Sequence, residues 1–141
     1  MNAKQYLRQL RRLDSIVNAK FEQIVRLRSM LTNVTTNLSD DKIRSSGSHD
    51  KLGNTISKII ELENEINNDI QKLMDLKQKI TREIDSISND EYRLLLTLRY
   101  LNYDTWEQIA VKMGYTYQWV HVLHSRALIY FEEKVQVLDC N

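Results

Sequence analysis

Apolar side chains recur every seven residues from Ala3 to Leu38, and a second apolar series follows three positions behind the first. Lys20 is the one polar residue in this repeat, which lasts about five heptads. A repeat of this length predicts a long helix with a coiled-coil seam. Three threonines between residues 32 and 36 lower helix propensity, so we expect the helix to fray before Leu38.

A stricter seven-residue repeat runs without exception from Leu52 to Ile87 and predicts a second long helix, with Asp50 or Thr55 as its cap. Between the repeats, residues 39–50 are rich in serine and charge and predict a loop. Matched helix lengths and a short linker favour an antiparallel hairpin. Its predicted seam contains Leu10, Leu13, Val17, Ile24, Leu27, Leu31, Ile59, Ile66, Leu73 and Ile80.

Further apolar residues lie beside this seam and widen each stripe beyond what a two-stranded coil buries. They are Leu7, Ile16, Phe21 and Met30 in the first repeat and Ile60, Leu62, Met74 and Leu76 in the second. We therefore predict that residues 1–88 form a dimerisation arm and that the protein is a homodimer. The alternative is that these residues cover the C-terminal domain of the same chain.

The pattern changes at Ser88, where Ser88 and Glu91 offer a capping box and predict a new helix from about Asp90 to Leu101. We place a domain boundary here, with the C-terminal domain at residues 89–141. The apolar face of this helix is predicted to pack under the following helices through Leu94, Leu95, Leu98 and Leu101.

Residues 105–128 predict two short helices joined by a tight turn. Thr105 and Gln108 form a capping box, Gly114 supplies the positive φ that ends the first helix, and Thr116 caps the second. This is the pattern of a helix-turn-helix, with an ordinary helical corner as the alternative. Its predicted core is Ile109, Met113, Val120 and Leu123. The second helix is expected to reach about Val137, with tail contacts from Ile129, Phe131, Val135 and Leu138.

The composition supports an all-α protein, since the 141 residues include no proline and only three glycines. We predict a long antiparallel, coiled-coil-like hairpin followed by a C-terminal helix-turn-helix domain. The single cysteine, Cys140, excludes an intrachain disulfide. The longest apolar runs fall far short of the roughly 20 residues that cross a bilayer, so we expect no membrane association and a cytoplasmic location.

Charge is unevenly distributed along the chain. Residues 1–38 hold seven Lys and Arg against two acids, whereas residues 89–141 hold five against seven. DNA-binding domains usually carry a basic face, because neutralised phosphates supply most of the non-specific affinity. If the C-terminal domain binds DNA, either its few cations share one face, or dimerisation or a protein partner adds affinity.

The sequence contains no catalytic constellation at a useful spacing. His121 and His124 stand one turn apart, but no Cys, Asp or Glu accompanies them at ligand spacing. Paired acids such as Glu132 and Glu133 are typical of a solvated face. We expect no enzymatic activity, no metal and no cofactor.

The outward face of the second helix follows from its inward residues, Val120 and Leu123. Base reading is predicted for Tyr117, Gln118, His121 and Val122. Gln118 suits bidentate pairing with adenine, and Val122 suits the methyl group of thymine. Contact with the DNA backbone is predicted for Thr116, His124 and Ser125.

The segments LRY, WEQIAVKMGY and LHSRAL, between Leu94 and Leu128, resemble region 4 of bacterial sigma factors, and more closely ArpU/RinA-type phage transcriptional regulators. The resemblance implies that the second helix lies in the major groove of double-stranded DNA, with base reading at Tyr117, Gln118 and Val122. It also implies backbone contact by Trp119, His121 and Arg126.

Together these features predict a sequence-specific DNA-binding regulator of transcription in the bacterial cytoplasm. The resemblance implies an activator of phage or prophage late genes that acts with RNA polymerase. The alternative function is a protein-interaction adaptor that docks on RNA polymerase or another regulator without reading DNA. The acidic balance of residues 89–141 favours the adaptor. The polar outward face of the second helix favours DNA reading.

Overall fold

The structure is a computed structural model that describes residues 1–40 and 46–139, with side chains for residues 1–33 and 50–135. All regular structure in these ranges is helical, which confirms the predicted all-α fold. The described elements are α1 Ala3–Asp40, α2 Ser46–Asp85, α3 Asp90–Leu96, a π-helical turn Thr97–Leu101, α4 Trp106–Met113 and α5 Tyr117–Asp139. Across the same ranges, no helix combines the length and apolar character needed to cross a membrane.

The two long helices extend further than predicted. Residues 39–40 belong to α1 and residues 46–50 to α2, while positions 41–45 of the predicted loop lie outside the described residues. Neither Asp50 nor Thr55 therefore caps α2, and α1 does not end before Leu38. Thr55 donates its hydroxyl hydrogen to the carbonyl of Lys51 at 2.8 Å, which satisfies the hydroxyl within a continuous helix.

Contacts divide the chain into a hairpin unit, Asp14–Lys72, and a C-terminal unit that combines Met1–Leu13 with the residues from Leu73 onward. This division differs from the predicted boundary between residues 88 and 89. The reason is that Leu7 of α1 and Ile84 of α2 are buried in the same cluster as Leu95 of α3. The first residues of α1 and the last residues of α2 thus belong to the core of the C-terminal unit.

In the hairpin unit, ion pairs show that α1 and α2 run antiparallel. Lys20 Nζ lies 2.5 Å from Asp69 Oδ2, and Arg28 Nη2 lies 2.6 Å from Glu63 Oε1, so later residues of α1 meet earlier residues of α2. The interior buries Val17, Ile24, Ile59, Leu62 and Ile66, with Leu27, Leu31 and Ile70 partly buried against them.

Lys20, the polar residue of the seam, has two carboxylate partners, since Glu65 lies 3.4 Å from its ammonium group in addition to Asp69. The hydrogen bond to Asp69 raises the pKa of Lys20, so the side chain stays charged. We expect this pair to select one register of the hairpin, because another alignment would leave the charge without a partner in an apolar seam.

The C-terminal unit has one apolar core to which all its helices contribute. Its α1 and α2 segments contact each other, with the Tyr6 hydroxyl donating to Glu83 Oε1 at 2.7 Å. Among the predicted seam residues, Leu10 and Ile80 are fully buried here, and Leu13 and Leu73 are partly buried. The buried residues are Ala3, Leu7, Leu10, Ile80, Ile84, Ile87, Leu95, Leu96, Leu98, Tyr100, Ile109, Val120, Leu123, Ala127 and Phe131.

The start of α3 differs from the predicted capping box of Ser88 and Glu91. The cap is Asn89, whose Oδ1 accepts a hydrogen bond from the Tyr92 N–H at 3.1 Å. Ser88 and Glu91 are instead engaged by tertiary partners, the hydroxyl groups of Tyr130 and Tyr115 respectively. The helix therefore starts where predicted, but on a different cap.

The inward face of α3 is also shifted from the predicted one. Leu94 is exposed, whereas Leu96 is fully buried. The π-helical turn that follows adds residues per turn, so the face that packs inward does not continue at α-helical spacing from Leu94 to Leu98. In α5, the predicted tail contact Ile129 is exposed and Phe131 is buried, while the side chain of Leu138 lies outside the described residues.

The extra apolar residues of the two repeats fall into two groups. Leu7 is buried in the C-terminal core, as the alternative to dimerisation expects, Leu76 is partly buried, and Leu62 is buried inside the hairpin unit. The remaining residues are exposed: Ile16, Phe21, Met30, Ile60 and Met74.

Candidate nucleic-acid interface

α4 has the predicted caps at both of its ends, and α5 has the predicted cap at its start. The Gln108 N–H donates to Thr105 Oγ1 at 3.2 Å, and the Thr105 N–H donates to Gln108 Oε1 at 2.9 Å, which confirms the capping box. Gly114 ends α4 with φ of 70°. Thr116 then accepts a hydrogen bond from the Trp119 N–H at 3.2 Å. These local bonds fix where α4 stops and α5 starts.

The inner face of α5 fixes which side chains point outward. Val120, Leu123, Ala127 and Phe131 are buried in the core, and Ile109 of α4 is buried beside them. Their spacing of three to four residues places them on one side of the helix. The opposite side of the first two turns of α5 is therefore open to solvent.

Three of the four predicted base-reading residues lie on this open side. Tyr117 is 45% exposed, Val122 is 40% exposed, and Gln118 is exposed in the first turn of α5. His121 is half-buried, because its ring lies 4.6 Å from the ring centres of both Trp106 and Tyr117. The structure thus brings the four residues together at the start of α5, with His121 held between two aromatic rings.

Four of the five predicted backbone-contacting residues are exposed, namely Thr116, Trp119, Ser125 and Arg126. The Arg126 guanidinium lies 5.3 Å from the Trp119 ring centre, so the cation is held beside an exposed aromatic face. Ser125 donates its hydroxyl hydrogen to the His121 carbonyl at 3.2 Å, which leaves only its oxygen lone pairs available to a partner.

His124 is buried in the core, so its predicted role at the DNA backbone is wrong. It is only 6% exposed, and its Nε2 lies 2.6 Å from the Tyr100 hydroxyl oxygen. Burial lowers the pKa of His124 to about 4, assisted by the nearby cations Lys4 and Arg99, so the ring is neutral at pH 7. The spacing of His124, four residues after Val120 and three before Ala127, already indicated the inner face of α5.

Comparison with known protein families identifies the chain. Residues 30–132, nearly three quarters of the sequence, match the family described as "Protein of unknown function (DUF1492)". The chain belongs to this family. Neither the curated proteins nor the solved structures contain a significant match to it. The matched region includes α3, the π-helical turn, α4 and the exposed start of α5.

In this DUF1492 chain, sequence reasoning missed an arginine and a tryptophan that border the predicted interface. The Arg99 guanidinium lies 4.2 Å from the Trp106 ring centre, and it donates to the Asp104 carbonyl at 2.9 Å. Burial lowers the pKa of Arg99, and the nearby charges of Arg11 and Arg8 lower it further. The sequence pointed to Arg99 only in part. Arg99 lies within the LRY segment, but the direction of its side chain depends on the π-helical turn.

The turn before α4 is held by the Asp104 side chain. Asp104 is buried, and its Oδ2 accepts a hydrogen bond from Lys112 Nζ at 2.7 Å. Tyr103, the preceding residue, has φ of 60°, a conformation that non-glycine residues adopt infrequently. Among the residues with described side chains, no three metal-binding groups come together.

Proposed function

We propose that this protein is a sequence-specific DNA-binding regulator of transcription. The observation that carries the proposal is the open face at the start of α5, where Tyr117, Gln118 and Val122 are exposed beside a rigid, capped turn. An α-helix fits the major groove of B-DNA, and the second helix of a helix-turn-helix enters it with its first residues. α5 supplies a helix of this kind, with one side of its first two turns exposed.

The exposed side chains suit base reading by type. Within the described side chains, the Gln118 amide makes no hydrogen bond, so both its donor and its acceptor are available for the two edge atoms of an adenine. Val122 lies one turn further and presents methyl groups suited to thymine. In this proposal Arg126 contacts a phosphate, which would position the helix without reading sequence.

The proposal includes a homodimer formed through the hairpin unit. Phe21 and Val25 lie one turn apart on α1, Ile56 and Ile60 lie one turn apart on α2, and all four are exposed. Arg28 follows Val25 by one turn and Glu63 follows Ile60 by one turn, so the Arg28–Glu63 ion pair places both stripes on the same face. We name these four apolar residues the hairpin face; a second hairpin face is its proposed partner.

The resemblance to sigma region 4 and to ArpU/RinA-type regulators supports a narrower proposal. The protein would then activate phage or prophage late genes in the bacterial cytoplasm, in contact with RNA polymerase. An alternative remains supported by a specific observation, namely exposed apolar side chains beside the turn, with Val111 83% exposed and Trp119 38% exposed. An apolar surface in an acidic segment suits an adaptor that docks on a protein such as RNA polymerase.

Selection from a pool of random duplexes by the purified full-length protein tests DNA reading. The proposal predicts an enriched motif, and dimerisation predicts two related half-sites about 10 base pairs apart or a multiple of that distance. The adaptor hypothesis predicts no enrichment, together with retention of purified RNA polymerase on the immobilised protein. A pool that stays random after repeated rounds would exclude sequence-specific DNA reading.

A further inference from the structure

The first turns of α1 carry a row of cations within the C-terminal unit. Lys4, Arg8 and Arg11 are all exposed, and their spacing of four and three residues places them on one side of the helix. Leu7, between them, is fully buried in the core. We call the three cations the basic stripe. None of them forms an ion pair with any residue whose side chain is described.

The basic stripe lies on the side of α1 that faces away from α2. Tyr6, whose hydroxyl bonds to Glu83 of α2, projects from the opposite side of the buried Leu7 and Leu10. The electrostatics agree with this placement. The charge of Lys4 contributes to the lowered pKa of His124 in α5, and the charges of Arg8 and Arg11 contribute to that of Arg99.

A row of side-chain contacts connects Arg99 to the start of α5. The Arg99 guanidinium lies 4.2 Å from the Trp106 ring centre, and Trp106 lies 4.6 Å from the His121 ring. His121 in turn lies 4.6 Å from the Tyr117 ring. Arg99 therefore borders the surface that carries the proposed reading residues, and the basic stripe lies near enough to Arg99 for its charges to act on that guanidinium.

We propose that the basic stripe binds the phosphates of the DNA backbone that flanks the bases read by α5. The inference rests on the proposed function, and it identifies where the charge for DNA binding comes from when residues 89–141 hold fewer basic than acidic side chains. The stripe spans about 10 Å along α1, the length of about three nucleotide steps of one strand. Arginine is suited to this contact because its planar fork pairs with phosphate oxygens.

Salt-dependent binding by two double variants tests the inference. Arg8→Ala with Arg11→Ala removes two charges from the stripe. Arg12→Ala with Arg26→Ala removes two exposed charges from the same helix outside it. Fluorescence anisotropy is measured for a duplex carrying the selected motif and for a scrambled duplex, between 50 and 200 mM salt.

The stripe variant should bind both duplexes more weakly than wild type and by the same factor, because phosphate contacts carry no sequence information. Its slope of log affinity against log salt should fall by about 1.8, from about 0.9 for each lost contact. The control variant should keep the wild-type slope, and Arg8→Lys with Arg11→Lys should largely restore binding. Circular dichroism should show unchanged helix content in all variants, since the substituted residues are exposed.

The remaining outcomes separate this inference from the proposed function. If the stripe variant keeps wild-type affinity and slope while Gln118→Ala alters base preference, the stripe does not bind phosphate and DNA reading stands. If the control variant loses as much affinity as the stripe variant, the effect comes from net charge, and the proposal that the stripe binds phosphate is overturned. If the wild-type protein binds neither duplex, both the proposed DNA reading and the proposed phosphate binding by the stripe are overturned.

Discussion

The hydroxyl oxygen of Tyr100 lies 2.6 Å from Nε2 of His124, and this hydrogen bond joins the π-helical turn to α5 inside the core. Burial raises the pKa of Tyr100 to about 12 and lowers that of His124 to about 4. Both groups are therefore neutral at pH 7. The bond sits directly behind the proposed DNA-reading face, so the position of α5 depends on a histidine that stays uncharged.

Stability should fall on acidification because of His124. Its pKa is about 4 in the folded protein against 6.5 in the unfolded chain, so the unfolded state binds the proton first. The contribution is fully present above pH 6.5 and is lost as the pH falls towards 4. Between pH 7 and pH 5 we expect a loss of about 2 kcal/mol in the free energy of unfolding, measured by urea denaturation.

Two glutamine variants provide the controls for this pH effect. His124→Gln removes the titrating group and keeps a polar partner for Tyr100, so its stability should change little between pH 7 and pH 5. His121→Gln keeps the buried His124 ring, so most of the wild-type loss of stability should remain. A His124→Gln profile as steep as that of the wild type would show that His124 is not the group responsible.

Replacing Gly114 or Gly53 with alanine should change the free energy of unfolding in opposite directions. Gly114 has φ of 70°, so Gly114→Ala should cost about 1 kcal/mol, although no described atom lies within 4 Å of the added Cβ. Gly53 lies inside α2 with equally open surroundings, so Gly53→Ala should stabilise by about 0.5–1 kcal/mol. Urea denaturation of the full chain measures both. Equal effects would mean that the backbone at Gly114 is not left-handed.

Features set by local chemistry were predictable from the sequence. Thr105, Gln108 and Gly114 define the ends of α4 because their side chains or backbone act within one turn, without help from distant residues. The apolar repeats likewise predicted the two long helices and their seam. The cap of α3 was not decided in this way, since Ser88 and Asn89 are both capping residues and the Tyr130 hydroxyl engages Ser88.

Features set by tertiary context were missed. A π-helical turn changes the number of residues per turn, so an α-helical period placed Leu94 inside and left Leu96 unassigned. The heptad pattern of α1 is the same whichever partner it packs on, so it did not reveal that Leu7 belongs to the C-terminal core. For the same reason, the cations beside Leu7 gave no sign that they belong to the C-terminal unit.

The hairpin face should be required for dimerisation and not for folding. Val25→Glu with Ile60→Glu places charge on exposed positions, so it should abolish self-association while helix content is retained. Ile66→Asp instead buries a charge at a position that is only 3% exposed, and should cost several kcal/mol and disrupt the hairpin unit. Sedimentation gives the oligomeric state. A wild-type protein that stays monomeric at tens of micromolar would contradict the dimer.

The most direct test of the central claim, that the start of α5 reads bases, is duplex selection run in parallel with wild-type protein, Gln118→Ala and Arg126→Ala. Gln118 is exposed, so its removal should leave stability nearly unchanged and relax preference at one base pair of each half-site by about 1 to 3 kcal/mol. Arg126→Ala should enrich the same motif as wild type with uniformly weaker binding, because a phosphate contact carries no sequence information. A wild-type selection without a motif, or a Gln118→Ala motif identical to that of the wild type at every position, would contradict the claim.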